Sequence, residues 1–283
     1  MAGKQVGIRA LKSKDLFPAI FSRHAAAYKQ RLDHIMAGGE SRGRQRVVDL
    51  VDPKPGMAIL DLACGPGTLT RPIAERVAPG GHVVGIDLAP GMIEIARSAA
   101  PANAHFEVMD MEDLSFASAS FDAALCGHGL QFVPRIDRAL QEVRRVIRGG
   151  SVFAASVPVT RINESVWALL ESVVDRRLPP SPRAVDQGAT RATVGDADAL
   201  SAAALAAGFT SARVEVVEER VVWESAEQLV SLCSSWWDCA ARLEGVEADE
   251  RRAFIEEATE TLRRKHPGTI ETTGRNHVLF AIA

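Results

Sequence analysis

Between residues 57 and 158 the chain alternates short apolar runs with helical patterns, and that rhythm leaves few folds open. The runs are MAILDLAC (57–64), HVVGIDL (82–88), AHFEVMDM (104–111), FDAALCGH (121–128) and SVFAASVP (151–158). Each has strand length and lies between turn signals. LTRPIAERVA, PGMIEIARSAA and RIDRALQEVRRVI lie between them with apolar residues at helical spacing. The second helix carries proline in its first turn, and RGG follows the third. Strand and helix alternating over short connections predicts an α/β fold, a parallel sheet covered on both faces.

The rhythm breaks after Pro158. A helix, NESVWALLESVVDRRL, and a proline-rich loop, PPSPRA, fall in a first insertion at about 160–195. DADALSAAALAAGF then reads as a helix and SARVEVVEERVVW as a long strand. A second helical insertion covers about 224–266, and the last six residues, LFAIA with the preceding Val278, read as a buried strand. A long strand before an insertion and another after it predicts a closing β-ribbon. Residues 1–50 form an N-terminal helical segment, and 51–283 the main domain. We expect the segment and both insertions to form one cap over the ligand-binding edge of the sheet.

Nearly half of the 283 residues are hydrophobic, enough for a sizeable core, and the net charge of −3 gives no overall basic stripe for nucleic acid. The local basic stretches ESRGRQR, RRVIRGG and LRRKH are expected on solvated helix faces. The four cysteines make no CxxC pair and no zinc-like Cys/His spacing, so no metal site is expected. The first seventeen residues lack the apolar segment of a signal peptide, and no run approaches the ~18 apolar residues of a membrane span. The expectation is a cytoplasmic protein with a small-molecule substrate, either a monomer or a homodimer.

The glycine loop in ILDLACGPGTLT (59–70) follows the first strand, where open parallel sheets bind ligands. A dinucleotide fingerprint would place a third glycine at Thr70, which argues against an NAD-dependent oxidoreductase. A P-loop would end in Gly-Lys-Ser/Thr, which is absent. Three acids, Asp61, Asp87 and Asp110, stand at the mouths of consecutive strands around this loop. Asp87 is placed for both hydroxyls of a ribose, Asp110 for the exocyclic amine of adenine, and Asp61 for an amino group. That set suits a nucleoside joined to an amino acid.

Residues 56–157 resemble the class I S-adenosylmethionine-dependent methyltransferases, in particular the small-molecule group with the ubiquinone and menaquinone biosynthesis enzymes. ILDLACGPGTLT, VVGIDLAPGMIEIAR, FEVMDMEDLSFASASFD and ALQEVRRVIRGGSVF carry the resemblance, in the family's order and spacing. It implies a Rossmann-like seven-stranded sheet in the order 3-2-1-4-5-7-6 with strand 7 antiparallel. It implies S-adenosyl-L-methionine as cofactor and S-adenosyl-L-homocysteine as product. Asp61, Ala63, Gly65 and Gly67 would line its methionine portion, and Asp87 and Leu88 its ribose. Met92, Asp110 and Met111 would meet the adenine, and Cys126 and Gly127 would flank the sulfonium.

Methyl transfer from a sulfonium is an in-line displacement, and a base is needed only where the acceptor must lose a proton. His128, after the fourth strand, is the candidate base, with an orienting hydrogen-bond partner as its other reading. His24 and Tyr28, four residues apart and so on one helical face, come next as catalytic candidates. Trp167, Trp236 and Trp237 line an acceptor cavity or form cap core. The expected function is methylation of oxygen or activated carbon on a small, partly apolar metabolite, natural-product or quinone-like. The rivals are non-methylating chemistry on the same fold and cofactor, such as cyclisation, and a non-catalytic binding protein.

Overall fold

A computed structural model describes residues 11–161 and 164–283. Most of the expected first insertion and all of the second therefore lie within it. Residues 1–10, which hold most of the stretch read for a signal peptide, lie outside, as do 162 and 163.

Three helices come first: α1 (Ser13–Arg23), α2 (Ala25–Ala37) and α3 (Arg42–Val51). The regular section follows as β1 (Ala58–Leu62), α4 (Thr70–Val77), β2 (His82–Asp87), α5 (Pro90–Ser98), β3 (Ala104–Val108), β4 (Phe121–Gly127), α6 (Ile136–Val146) and β5 (Ile147–Arg161). Helices α7 (Glu164–Arg177), α8 (Gly188–Gly195) and α9 (Ala197–Ala206) lead to β6 (Ser211–Trp223). Helices α10 (Ala226–Cys233), α11 (Trp237–Leu243) and α12 (Ala248–Lys265) precede β7 (Ile270–Ile282).

The strands form one sheet in the order β3-β2-β1-β4-β5-β7-β6. Strands β1 to β5 pair in parallel, and β7 runs antiparallel to both β5 and β6. The expected order and the closing ribbon are both present. One boundary differs from the sequence reading. The RGG after α6 does not stop a helix: β5 already begins at Ile147, which pairs with Phe121, and the ladder slips before resuming at Val152. The extra residues bulge at the sheet's lower edge, away from the ligand end.

Alternation along the strands builds two cores, because successive side chains point to opposite faces. Leu60, Leu62, Ile86, Ala124 and Phe153 meet Leu140 and Val143 of α6 and Leu200 and Ala204 of α9. Ile59, Val83, Leu125 and Ala154 meet Val47, Val48 and Val51 of α3, Ile73 of α4 and Ile93 of α5. Asp61 shares the side of Ile59, so it enters the second layer at its upper rim.

A third core joins the insertions. Trp167, Leu170 and Val173 of α7 pack with Leu229 and Val230 of α10 and Phe254 and Leu262 of α12. Trp223 at the end of β6 belongs to it, and its Nε1 donates to Thr272 Oγ1 at 2.9 Å. Phe17 of α1 stacks edge-on with Trp237, at 5.1 Å between centroids, and Ala25 of α2 packs on Ala89 and Met92 beyond β2. The N-terminal helices thus bridge the strand ends and the second insertion.

Candidate cofactor and acceptor site

The carboxyl ends of β1, β2 and β4 converge on a narrow slot. Ala63, Gly65, Asp87, Leu88, Met92, Asp110, Met111 and Gly127 line it, and Ser13, Lys14, Phe17 and Phe21 of α1 lie across it. Its volume is about 110 Å³. Gly65 has φ +55 and faces open space, so a side chain there would enter the slot. Its N–H donates to Asp87 Oδ2 at 2.9 Å, and Ala89 N–H donates to Oδ1 at 2.9 Å. Asp87 thereby fixes the glycine loop and the start of α5 together. The carboxylate keeps lone-pair capacity for a ribose hydroxyl.

Asp61 lies one layer behind, 1% exposed, and accepts a 2.6 Å hydrogen bond from Thr70 Oγ1. The residue that breaks the dinucleotide pattern is therefore its partner. Burial pushes the Asp61 carboxyl up to about 7, against the Thr70 hydrogen bond, with Asp87 adding repulsion. Burial also raises Asp87, against the backbone donors of Ala89, Gly65 and Leu88. Among the described residues, no cation lies within ion-pair distance of either carboxylate. Two buried acids side by side without a cation are costly. A ligand carrying an ammonium and a sulfonium supplies what this pair lacks, so the residues fit S-adenosylmethionine.

Asp110 meets Lys14 Nζ at 2.5 Å, and so does Glu112. This latch ties α1 to the adenine end of the slot. Gly67 and Cys126 stand apart from the other expected cofactor residues. A Cβ on Gly67 would lie 3.0 Å from the Phe106 ring, so that glycine serves close packing of the loop on the sheet. Cys126 is fully buried among the core residues of the α6 face, because it alternates with Leu125 on β4. Gly127 and His128, the next residues, line the slot in its place.

Beyond the slot lies a chamber of about 740 Å³ under the cap. Phe21, Tyr28, His128 and Phe132 line both spaces and form the throat between them. All three tryptophans that the sequence left between cavity wall and cap core line the chamber, and Trp167 and Trp236 belong to the cap core as well. His128 takes a left-handed backbone, φ +66, and Ala63 at the end of β1 has φ +51. Non-glycine residues there carry strain of about 1–3 kcal/mol each, which clusters at functional sites. The His128 Nε2 is buried without a hydrogen-bond partner. Burial, then Arg44 and Arg31, hold its ring well below the ordinary imidazole range, with Asn276 acting in the other direction. The ring is neutral at pH 7, a hydrogen-bond acceptor more than a strong base.

His24 does not share this site. The residue ends α1 and caps α2, and although its carbonyl accepts from Tyr28 N–H at 2.9 Å, its ring turns to Glu244 rather than to the throat. The His24 Nε2 pairs with Glu244 Oε1 at 2.8 Å beside Arg23, whose Nε pairs with the same oxygen at 2.6 Å. His277, on β7, bonds Val194 O through Nδ1 at 2.9 Å. Glu218 pairs with Arg275, and Glu219 accepts from Gly43 N–H, so these adjacent acids face different partners. No group of three metal-binding side chains occurs among the described residues.

Arg44 corrects the reading of ESRGRQR as a solvated face, since it is 7% exposed and lines the chamber. Its spacing from Val47, Val48 and Val51, on the buried side of α3, was the signal. Arg31, Gln131 and Asn276 line the chamber too, and sequence reasoning passed over them.

A methyltransferase domain family matches residues 59–150. The nocamycin O-methyltransferase of Saccharothrix syringae is 31% identical over 233 residues, 77% of this chain and 82% of that protein. The chain belongs to the class I S-adenosylmethionine-dependent methyltransferases. The 2-phytyl-1,4-naphtoquinone methyltransferase of Trichormus variabilis is 37% identical over 135 residues, 46% of the chain and 59% of that relative. The aklanonic acid methyltransferase of a Streptomyces species is 38% identical over 121 residues, 41% of the chain and 55% of that relative. The chain thus spans little more than half of several relatives it matches. Two solved structures share the fold. The phosphoethanolamine N-methyltransferase 2 of Haemonchus contortus gives a TM-score of 0.59 at 16% identity, over 97% of this chain and 60% of that one. The [4+2]-cyclase SpnF gives 0.53 at 17% identity, over 96% and 97%.

Proposed function

We propose that this methyltransferase moves the methyl group of S-adenosylmethionine to an oxygen or activated carbon of a small, partly apolar metabolite. One observation carries the reading: a slot fitted to the cofactor opens through a four-residue throat into an aromatic-walled chamber under the cap. When bound, the cofactor supplies a methyl group on a cationic sulfur, whose neutralisation drives transfer. Asp87 holds the ribose hydroxyls, Asp110 the adenine amine, and Asp61 lends negative charge beside the methionine end. Leu88, Met92 and Met111 give the apolar walls, and Ala63, Gly65 and Gly127 keep the backbone bare. Gly67 and Cys126 support the loop and the strand from behind. Tyr28 and His128 set the acceptor's approach; His128 accepts a proton where the acceptor must lose one. Phe21 and Phe132 exclude water from the throat. His24 holds the α1–α2 joint and takes no part in the chemistry.

The names of relatives acting on naphtoquinone, nocamycin and aklanonic acid support an aromatic or polyketide-like acceptor. No helix among the described residues is long and apolar enough to cross a membrane, and we place the enzyme in the cytoplasm as a monomer or homodimer without nucleic acid. The test is incubation with methyl-labelled cofactor and a panel of quinols, phenols and polyketide acids. Label in an extracted acceptor, with one equivalent of S-adenosylhomocysteine, supports the reading. Acceptor conversion without any S-adenosylhomocysteine overturns it.

A further inference from the structure

The chamber wall carries two guanidiniums beside the throat. Arg44 donates from Nη1 to Ser41 Oγ at 3.0 Å and reaches Tyr28 Oη from Nη2 at 3.5 Å. The Arg31 guanidinium stands 5.1 Å from the centre of the Tyr28 ring and 5.5 Å from that of Trp236. Its Nε is buried without a hydrogen-bond partner, as are His128 Nε2, Gln131 Oε1 and Asn276 Oδ1 on the same wall. Among the described residues, neither guanidinium has a carboxylate within 4.0 Å. Three acids among the described residues line the chamber: Glu219 is turned to Gly43 N–H, Asp238 to Ser181 and Arg242, and Glu171 of α7 makes no ion pair with either guanidinium.

A buried cation is retained against a large desolvation cost only where an anion or a hydrogen-bond set compensates it. Aromatic faces and hydroxyls offset a part of that cost. Arg44, buried, and Arg31, half-buried with its Nε enclosed, converge on one tyrosine and leave an electrostatic demand that a neutral acceptor would not meet.

We propose that Arg31 and Arg44 are the recognition site for an anionic oxygen of the acceptor, an ionised carboxylate or acidic enol on an apolar body. The inference rests on the methyl-transfer reading above and names its substrate class. The apolar body lies among Trp167, Trp236, Trp237 and Leu170, while the charged end faces Tyr28 at the throat. The oxygen lone pair forms the new O–C bond as the C–S bond breaks, and that bond's electrons pass to sulfur. No proton leaves, so His128 acts here as a neutral positioning group. The product is a neutral ester or enol ether, which no longer matches two guanidiniums and leaves more readily than the substrate.

The test is calorimetry on the full chain saturated with S-adenosylhomocysteine, comparing 2-naphthoate with 2-naphthalenemethanol and 4-hydroxycoumarin with coumarin. An anion binds about 10- to 100-fold tighter than its neutral partner. Preference for 2-naphthoate alone identifies a carboxylate acceptor; preference for 4-hydroxycoumarin alone identifies an enol. Arg31→Met and Arg44→Met each remove most of the preference and leave the neutral probes nearly unchanged. Arg44→Lys restores part of it. Equal binding of anion and neutral partner by the wild type overturns the proposal, and that comparison stands even where a variant fails to fold. Equal losses for both probes in folded Met variants overturn it too. Absence of S-adenosylhomocysteine binding in the wild type would instead defeat the methyl-transfer reading itself.

Discussion

Asp61→Asn isolates the electrostatic cost of the cofactor site. The variant keeps the shape, and its amide oxygen still accepts from Thr70 Oγ1. It removes a carboxyl whose ordinary value of 3.8 is raised to about 7, chiefly by burial. Because the folded value lies above the unfolded one, the folded chain holds an extra proton between them. Stability therefore falls as pH rises through that window. The whole rise corresponds to about 4 kcal/mol, of which about 1.4 kcal/mol falls between pH 6 and pH 8. Denaturant unfolding without ligand shows this slope in the wild type. In Asp61→Asn the slope is shallower, and the variant is more stable at pH 8. A residual slope from Asp87 persists, since its carboxyl is raised as well. Cofactor binding runs the other way. A cation favours the ionised acid, so wild-type affinity rises with pH through about 7 and binding releases protons. Calorimetry in buffers of different ionisation enthalpy counts them. The variant binds more weakly by about 1–3 kcal/mol and releases fewer. Equal pH slopes in the two proteins, with equal proton release, would refute the argument.

Three further outcomes are expected. Asp87→Ala costs about 1–3 kcal/mol of cofactor affinity, because ribose hydroxyls lose a charged acceptor; calorimetry at pH 8 measures it. His128→Ala lowers turnover of a neutral hydroxyl acceptor by about 10²-fold or more but of an acidic acceptor less than about tenfold, read in initial rates with each class. Lys14→Ala breaks the latch to Asp110 and Glu112; Lys14 is more than a third exposed, so stability changes by less than about 1 kcal/mol. Stopped-flow then shows cofactor leaving faster by up to about fivefold.

The strand–helix alternation made β1 to β5 and the acids at their ends readable, because each local pattern repeats within a dozen residues. Asp61 with Thr70 and Asp87 with Gly65 pair across one layer between residues near in the chain, so their placement at the strand ends follows from the local pattern. The chamber was not readable in that way. Arg44 sits on α3, yet Asn276 and Glu219, which line the same chamber, come from β7 and β6, far along the chain. A stretch rich in arginine resembles a wet helix face until the ribbon and cap are laid over it. His24 stands apart from the slot and the chamber for a local reason. Spacing of four puts the two residues one turn apart, yet at the joint between α1 and α2 the ring of His24 is drawn to Glu244. Cys126 shows the period-two limit: neighbouring residues at a strand end differ in which one reaches the ligand.

The joint between α1 and α2 has a mechanical consequence. Arg23 and His24 grip Glu244 just past α11, while Phe17 leans on Trp237 at its start. A swing of α1 wide enough to admit an adenosyl group must either tear this clasp or drag the tryptophan-bearing helix with it. In the second case, cofactor exchange reshapes the acceptor's walls, and loading of the two ligands follows a set order.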